Sequence, residues 1–161
     1  MECIAILLKD LKLKSPELRA FVLDLLDHIF EDIYRAFEQN DFKESQRRIA
    51  VIKFIAESYN YKLIHTDTLM DILYKLINYD IEYREVDLYL AGLDTNMIDS
   101  FRIRLVCTLL DALGQYFWKG ERRTQMDRFL IFFQKYIYSK SYVQMDLEFM
   151  ILDTFDQIRP S

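Results

Sequence analysis

Apolar side chains recur every three or four positions along most of the chain, the spacing that lines one face of an α-helix. The clearest run is Val22, Leu26, Ile29, Phe30, Ile33 and Phe37. It follows "KSPEL", in which Ser15 suits an N-cap, Pro16 the first helical position and Glu17 the positive end of the helix. Ahead of it, residues 2–12 read as a short helix. Asp41, with Glu44 three residues on as in a capping box, starts a helix to about Asn60 that buries Ile49, Ile52, Ile55, Ala56 and Tyr59. Thr66 or Asp67 starts another, running through Tyr79. Periodicity fades over 80–98, which read as a long connection with one helical turn. Asp99 or Ser100 then caps "FRIRLVCTLLDALGQYFW", which Gly120 ends. Thr124 starts "QMDRFLIFFQKYIYSK", and "MDLEFMILDTFDQI" runs to Pro160.

Composition narrows the class. The 161 residues are 52% hydrophobic and 15% aromatic, enough to fill one core. Three glycines and two prolines are too few for the turns of an all-β chain. The expectation is all-α, with helices joined by short connections. Periodicity alone leaves a stack of antiparallel hairpins and a closed bundle both open. No run of about 18 apolar residues is present, so no membrane span is expected. "MECIAILLKDLKLK" lacks the basic leader and cleavage site of a signal peptide. Cys3 and Cys107 have no metal or redox spacing and read as reduced thiols of a cytosolic or nuclear protein.

Candidate chemistry is sparse. His28 and His65 match no ligand spacing and read as surface or boundary residues. No zinc-protease helix, dinucleotide fingerprint, phosphate-binding loop or nucleophile elbow occurs, so no catalytic residue, metal or cofactor is assigned. Glu148 and Asp153 read as solvated charges. The aromatics at 116–118 and 129–138 fall at helical spacing and read as core rather than as base-stacking platforms.

Charge changes the picture at one place. The net charge is −5. Residues 24–41 hold six acids (Asp24, Asp27, Glu31, Asp32, Glu38, Asp41) against Arg35, a local excess of five. At about 100° per residue, with Asp27 at zero, Glu31 lies near 40°, Glu38 near 20°, Tyr34 near −20° and Asp24 near 60°. The apolar stripe of Leu26, Ile33 and Phe37 centres at about −100°. Carboxylates and one tyrosine thus share a strip beside the core face. Like charges four residues apart repel. The strip is either a solvated face or a dock for a cationic partner, whose approach the acids steer.

Three stretches, "FKESQRRIAVIKFIAESYNYKLI" at 42–64, "FRIRLVCTLLDALGQYF" at 101–117 and "MDLEFMILDTFDQIRP" at 145–160, together with the acidic helix, resemble a known family. It is the third middle-domain repeat of the second Up-frameshift proteins, scaffolds of nonsense-mediated mRNA decay. The resemblance runs from about residue 20 and is looser over 1–19. It implies the middle-domain fold of initiation factor four-G, a HEAT-like stack of antiparallel helical hairpins, and selects the stack over the bundle. It also implies a non-enzymatic, cytoplasmic and perinuclear scaffold, with 1–161 a single repeat domain excised from a larger protein. In that family the third repeat binds the RNA-recognition-motif domain of the third Up-frameshift protein through acids on a helix. Matched onto "LLDHIFEDIYRAFE", those acids fall on Asp27, Glu31 and Glu38, with Tyr34 and Asp24 beside them. The family's helicase-binding segment has no counterpart here. The alternative is an RNA-binding helical module acting through Arg47, Arg48, Arg102, Arg104, Arg122 and Arg123. Arg102 and Arg104 are two positions apart, so they point to different faces.

Overall fold

A computed structural model describes residues 16–39, 43–78, 96–113 and 121–158. Among the described residues there are six helices and no strand: α1 (Pro16–Gln39), α2 (Ser45–Asn60), α3 (Thr66–Asn78), α4 (Asn96–Leu113), α5 (Glu121–Tyr138) and α6 (Met145–Ile158). The helix expected over 2–12 and most of the connection expected over 80–98 lie outside them.

Three helix starts differ from expectation. α2 begins at Ser45, and Glu44 stands at its N-cap without a side-chain capping bond. The Glu44 carboxylate turns instead to the Arg47 guanidinium, a stronger donor than a backbone N–H. α4 begins at Asn96, which places Asp99 within its first turn. Tyr136 donates its hydroxyl to Asp99 at 2.6 Å, and the Lys140 ammonium lies 3.1 Å away, so this carboxylate ties α4 to the end of α5. α5 begins at Glu121 rather than Thr124. The pattern marks the apolar stripe of each helix, while at α4 the role of Asp99 depends on partners from the end of α5.

α2 stops where its backbone turns left-handed at Lys62, with φ of 61°. The Lys62 N–H donates to the Tyr59 carbonyl and the Leu63 N–H to the Ser58 carbonyl, both at 2.8 Å. This is the paired closure usually completed by glycine. It turns the chain within five residues into α3, where Tyr59 and Thr66 share a hydroxyl hydrogen bond.

α4 is the centre of the stack. It packs against α2, α3 and α6, while α3 also packs against α5. From Phe101 to Leu110 every α4 residue except Arg104 is buried, as for a helix covered on all sides. α1 joins through Phe37, whose ring meets Phe101 edge-on at 6.0 Å. α5 and α6 join through Phe133 and Phe155, stacked at 6.3 Å. Phe129, Leu130, Phe133 and Tyr136 are buried, so the aromatic run of α5 is core.

Candidate functional site

α1 buries one stripe and leaves the adjoining one to solvent. Leu26, Ile33, Ala36 and Phe37 are buried, whereas Asp24, Asp27 and Glu31 are exposed. Asp24 keeps 71% of its side chain in water. Among the described residues no ion pair involves Asp27 or Glu31. Tyr34 is half-buried, packs against the core and lies 5.9 Å from the Phe30 ring. Burial raises the pKa of its phenol. The side chain of Glu38 lies outside the described residues.

The structure separates the acids of α1 into two groups. Asp32 faces α2 and receives Arg47 Nη2 at 3.4 Å and Arg48 Nε at 3.6 Å. It serves the packing of α1 on α2. Asp24, Asp27 and Glu31 keep their charge directed outward. Leu23, not singled out from the sequence, is 53% exposed. Its helical angle, about −40°, puts it on the same strip. The same periodicity that aligns the acids carries the signal for Leu23, four residues before Asp27. The strip thus holds acids with apolar contact area at one end and a phenol at the other.

His28 sits among these acids. Its Nδ1 donates to the Asp24 carbonyl at 2.8 Å, with the Asp24 carboxylate at 3.8 Å. That backbone hydrogen bond, then the Asp24 carboxylate, raises its pKa, with smaller contributions from Glu31 and Asp27. Two pH effects of opposite sign follow. The preference of folded α1 for the charged imidazole adds stability below the ordinary histidine pKa and loses it as pH rises through the raised one. A cationic surface docked on the strip would instead be held less tightly as pH falls, because the new charge opposes the strip. Between pH 8 and pH 6 the dissociation constant should rise by roughly threefold, and His28→Gln should flatten that slope. Isothermal titration across this range is the measurement.

The arginines considered for RNA contact are mostly engaged. Arg48 and Arg102 are buried. Arg102 donates from Nη1 to the Leu76 and Ile77 carbonyls at 3.2 and 3.0 Å, and its guanidinium lies 4.4 Å from the Phe37 ring centre. Arg104 points the other way and donates to Asp146 at 2.7 Å, which holds the Asp146 pKa below the usual carboxylate range. Arg47 bridges Asp32 and Glu44. Arg123 is exposed beside Asp127 at 4.0 Å, and the side chain of Arg122 lies outside the described residues. These arginines are contributed by α2, α4 and α5.

Among the described residues no group of three or more His, Cys, Asp or Glu residues has the arrangement of a metal site. Cys107 is a free buried thiol, pushed up to about 12 by burial, so it is not a nucleophile at neutral pH. His65, Glu148 and Asp153 are exposed. No described helix is long and apolar enough to cross a membrane.

The helical stack agrees with the comparisons to known proteins. The model of the MIF4G domain matches residues 1–160. The chain belongs to the MIF4G domain family. Regulator of nonsense transcripts UPF2 from Arabidopsis thaliana is 35% identical over 141 residues, 88% of this chain. Regulator of nonsense transcripts 2 from Homo sapiens is 34% identical over an alignment covering 99% of this chain. Nonsense-mediated mRNA decay protein 2 of Saccharomyces cerevisiae is 26% identical over 85% of it. The chain spans 12–13% of the length of these relatives. As a MIF4G domain it has the HEAT-like, all-helical fold that the six helices display.

Proposed function

We propose that this MIF4G domain is a non-enzymatic scaffold module of nonsense-mediated mRNA decay, corresponding to the third middle domain of UPF2 proteins. Its α1 strip binds the RNA-recognition-motif domain of the third Up-frameshift protein. The contact residues are Asp27, Glu31 and Glu38, with Tyr34, Asp24 and Leu23 at the margins. The module works in the cytoplasm, including the perinuclear region. The observation that carries this reading is the outward, unneutralised charge of Asp27 and Glu31 beside a half-buried phenol. The likeness to regulators of nonsense transcripts supplies the biological setting.

Acids on a helix surface attract lysines and arginines through partly screened contacts, so affinity should fall with salt. The test is a titration with the recognition-motif domain at 50 and 300 mM salt. Saturable binding that weakens by about tenfold at the higher salt is expected for several exposed ion pairs. Absence of binding at both would remove the proposal. The RNA-binding alternative is weaker, because Arg48 and Arg102 are buried and Arg47 and Arg104 already meet carboxylates. Single-stranded RNA in the same titration separates the two readings.

A further inference from the structure

The outer face of α6 is apolar where a surface helix would ordinarily be polar. Met145, Phe149 and Leu152 are 70%, 61% and 60% exposed. They recur at i, i+4 and i+7 and therefore fall within about 60° of one another around the helix. The opposite face buries Leu147, Thr154 and Ile158 against the stack. α6 thus carries two apolar faces and, among the described residues, has a partner for one.

The exposed stripe borders a groove of about 590 Å³ between the end of α5 and α6. Tyr138 and Tyr142, 78% and 62% exposed, line it from the end of α5 and the turn beyond, and Ile151, Leu152 and Phe155 line it from α6. Single exposed apolar residues are ordinary, but a contiguous patch beside a preformed groove marks an interaction surface. Its shape suits a helix laid along α6 with anchors at matching intervals.

Charge decides which helix fits. Residues 145–158 contain Asp146, Glu148, Asp153 and Asp156 and no lysine, arginine or histidine. Glu148 lines the groove, as does Lys140, whose ammonium is largely buried and lies 3.1 Å from Asp99. All four carboxylates are exposed, and among the described residues only Asp146 meets a cation, Arg104. By helical angle Glu148 lies about 60° to one side of the stripe and Asp153 about 80° to the other. The apolar stripe is therefore flanked by acids on both sides.

We propose that the α5–α6 groove docks an amphipathic helix from a partner protein, with apolar anchors at i, i+4 and i+7 and lysine or arginine on both flanks. This surface is separate from the α1 strip. Each is acidic, but the strip relies on charge with a little apolar area, whereas the groove relies on apolar anchors with charge at the rim. Two basic partners of different shape can then be held at once.

The test uses a panel of fluorescein-labelled, 16-residue helical peptides with leucine or phenylalanine anchors at i, i+4 and i+7 and lysine flanks. Control panels carry glutamate flanks or scrambled anchor spacing. Anisotropy titration against the whole chain should give micromolar binding for the lysine-flanked helices and at least tenfold weaker binding for both controls. Phe149→Asp and Leu152→Asp, both at exposed positions, should abolish it without changing the helical circular dichroism. Equal binding by these variants, equal binding by the glutamate-flanked peptides, or no binding by any lysine-flanked peptide up to 1 mM would overturn the proposal. So would a concentration-dependent dimer in sedimentation equilibrium that Phe149→Asp dissolves, because a second copy would then be the occupant.

Discussion

Asp27→Arg combined with Glu31→Arg is expected to weaken binding of the recognition-motif domain by roughly 100-fold, about 3 kcal/mol. The size follows from two losses at once. Each reversal removes an attraction and installs a repulsion against the same cation, in an interface where contact excludes part of the screening water. Both side chains point to solvent and, among the described residues, neither holds an ion pair. The reversals therefore have little to break within the fold, and the melting temperature should move by no more than about 2 °C. Much of the effect should appear in the association rate and shrink at high salt. Asp71→Arg, an exposed acid on α3 away from the strip, is the control and should leave affinity within about twofold. Surface plasmon resonance at two salt concentrations reads all of these quantities. A double reversal that binds as the parent does would place the docking surface elsewhere.

The second large effect concerns stability. Arg102→Met should lower the melting temperature by roughly 6–12 °C, corresponding to about 3 kcal/mol. Arg102 is 3% exposed. Its guanidinium closes the C-terminal end of α3 by donating to the Leu76 and Ile77 carbonyls, and its flat face covers Phe37 of α1. One side chain of α4 thereby holds two neighbouring helices. Methionine matches much of the volume but donates nothing, so the carbonyls stay buried without that donor, at about 1–3 kcal/mol each. Arg102→Lys should not rescue the loss, because an ammonium can neither fork between two carbonyls nor stack on the ring. Thermal unfolding followed by circular dichroism is the readout. An unchanged midpoint would show that water reaches the α3 end and the guanidinium is dispensable there.

Arg102 also illustrates the difference between residue type and residue role. In the sequence it is one of six arginines with equal claim to a phosphate contact. Its position in a helix apolar on nearly all sides hinted at burial, but the carbonyls it caps come from 25 and 26 residues earlier in the chain. Asp32 and Asp27 make the same point. Both belong to the same acidic run, yet Asp32 is taken by arginines of α2 while Asp27 is left outward. Helical angle separates the two roughly, and only the packing of α1 on α2 says which acid meets a cation. Asp99 looked like a cap from its place before an apolar run. It is instead a tie between helices, because Tyr136 and Lys140 arrive from the end of α5.

What the sequence by itself determined is the all-helical class, the apolar stripes of α1 and α2, the family and the angular strip of Asp27, Glu31 and Tyr34. These depend on spacing within one helix or on local likeness, both of which are properties of contiguous residues. Only the tertiary structure decided which arginines are interior, where α2, α4 and α5 begin, and that α6 has a second apolar face left in water. Those outcomes depend on which helix covers which. Burial and ion pairing are settled between residues far apart in the chain, and a linear pattern carries no record of that.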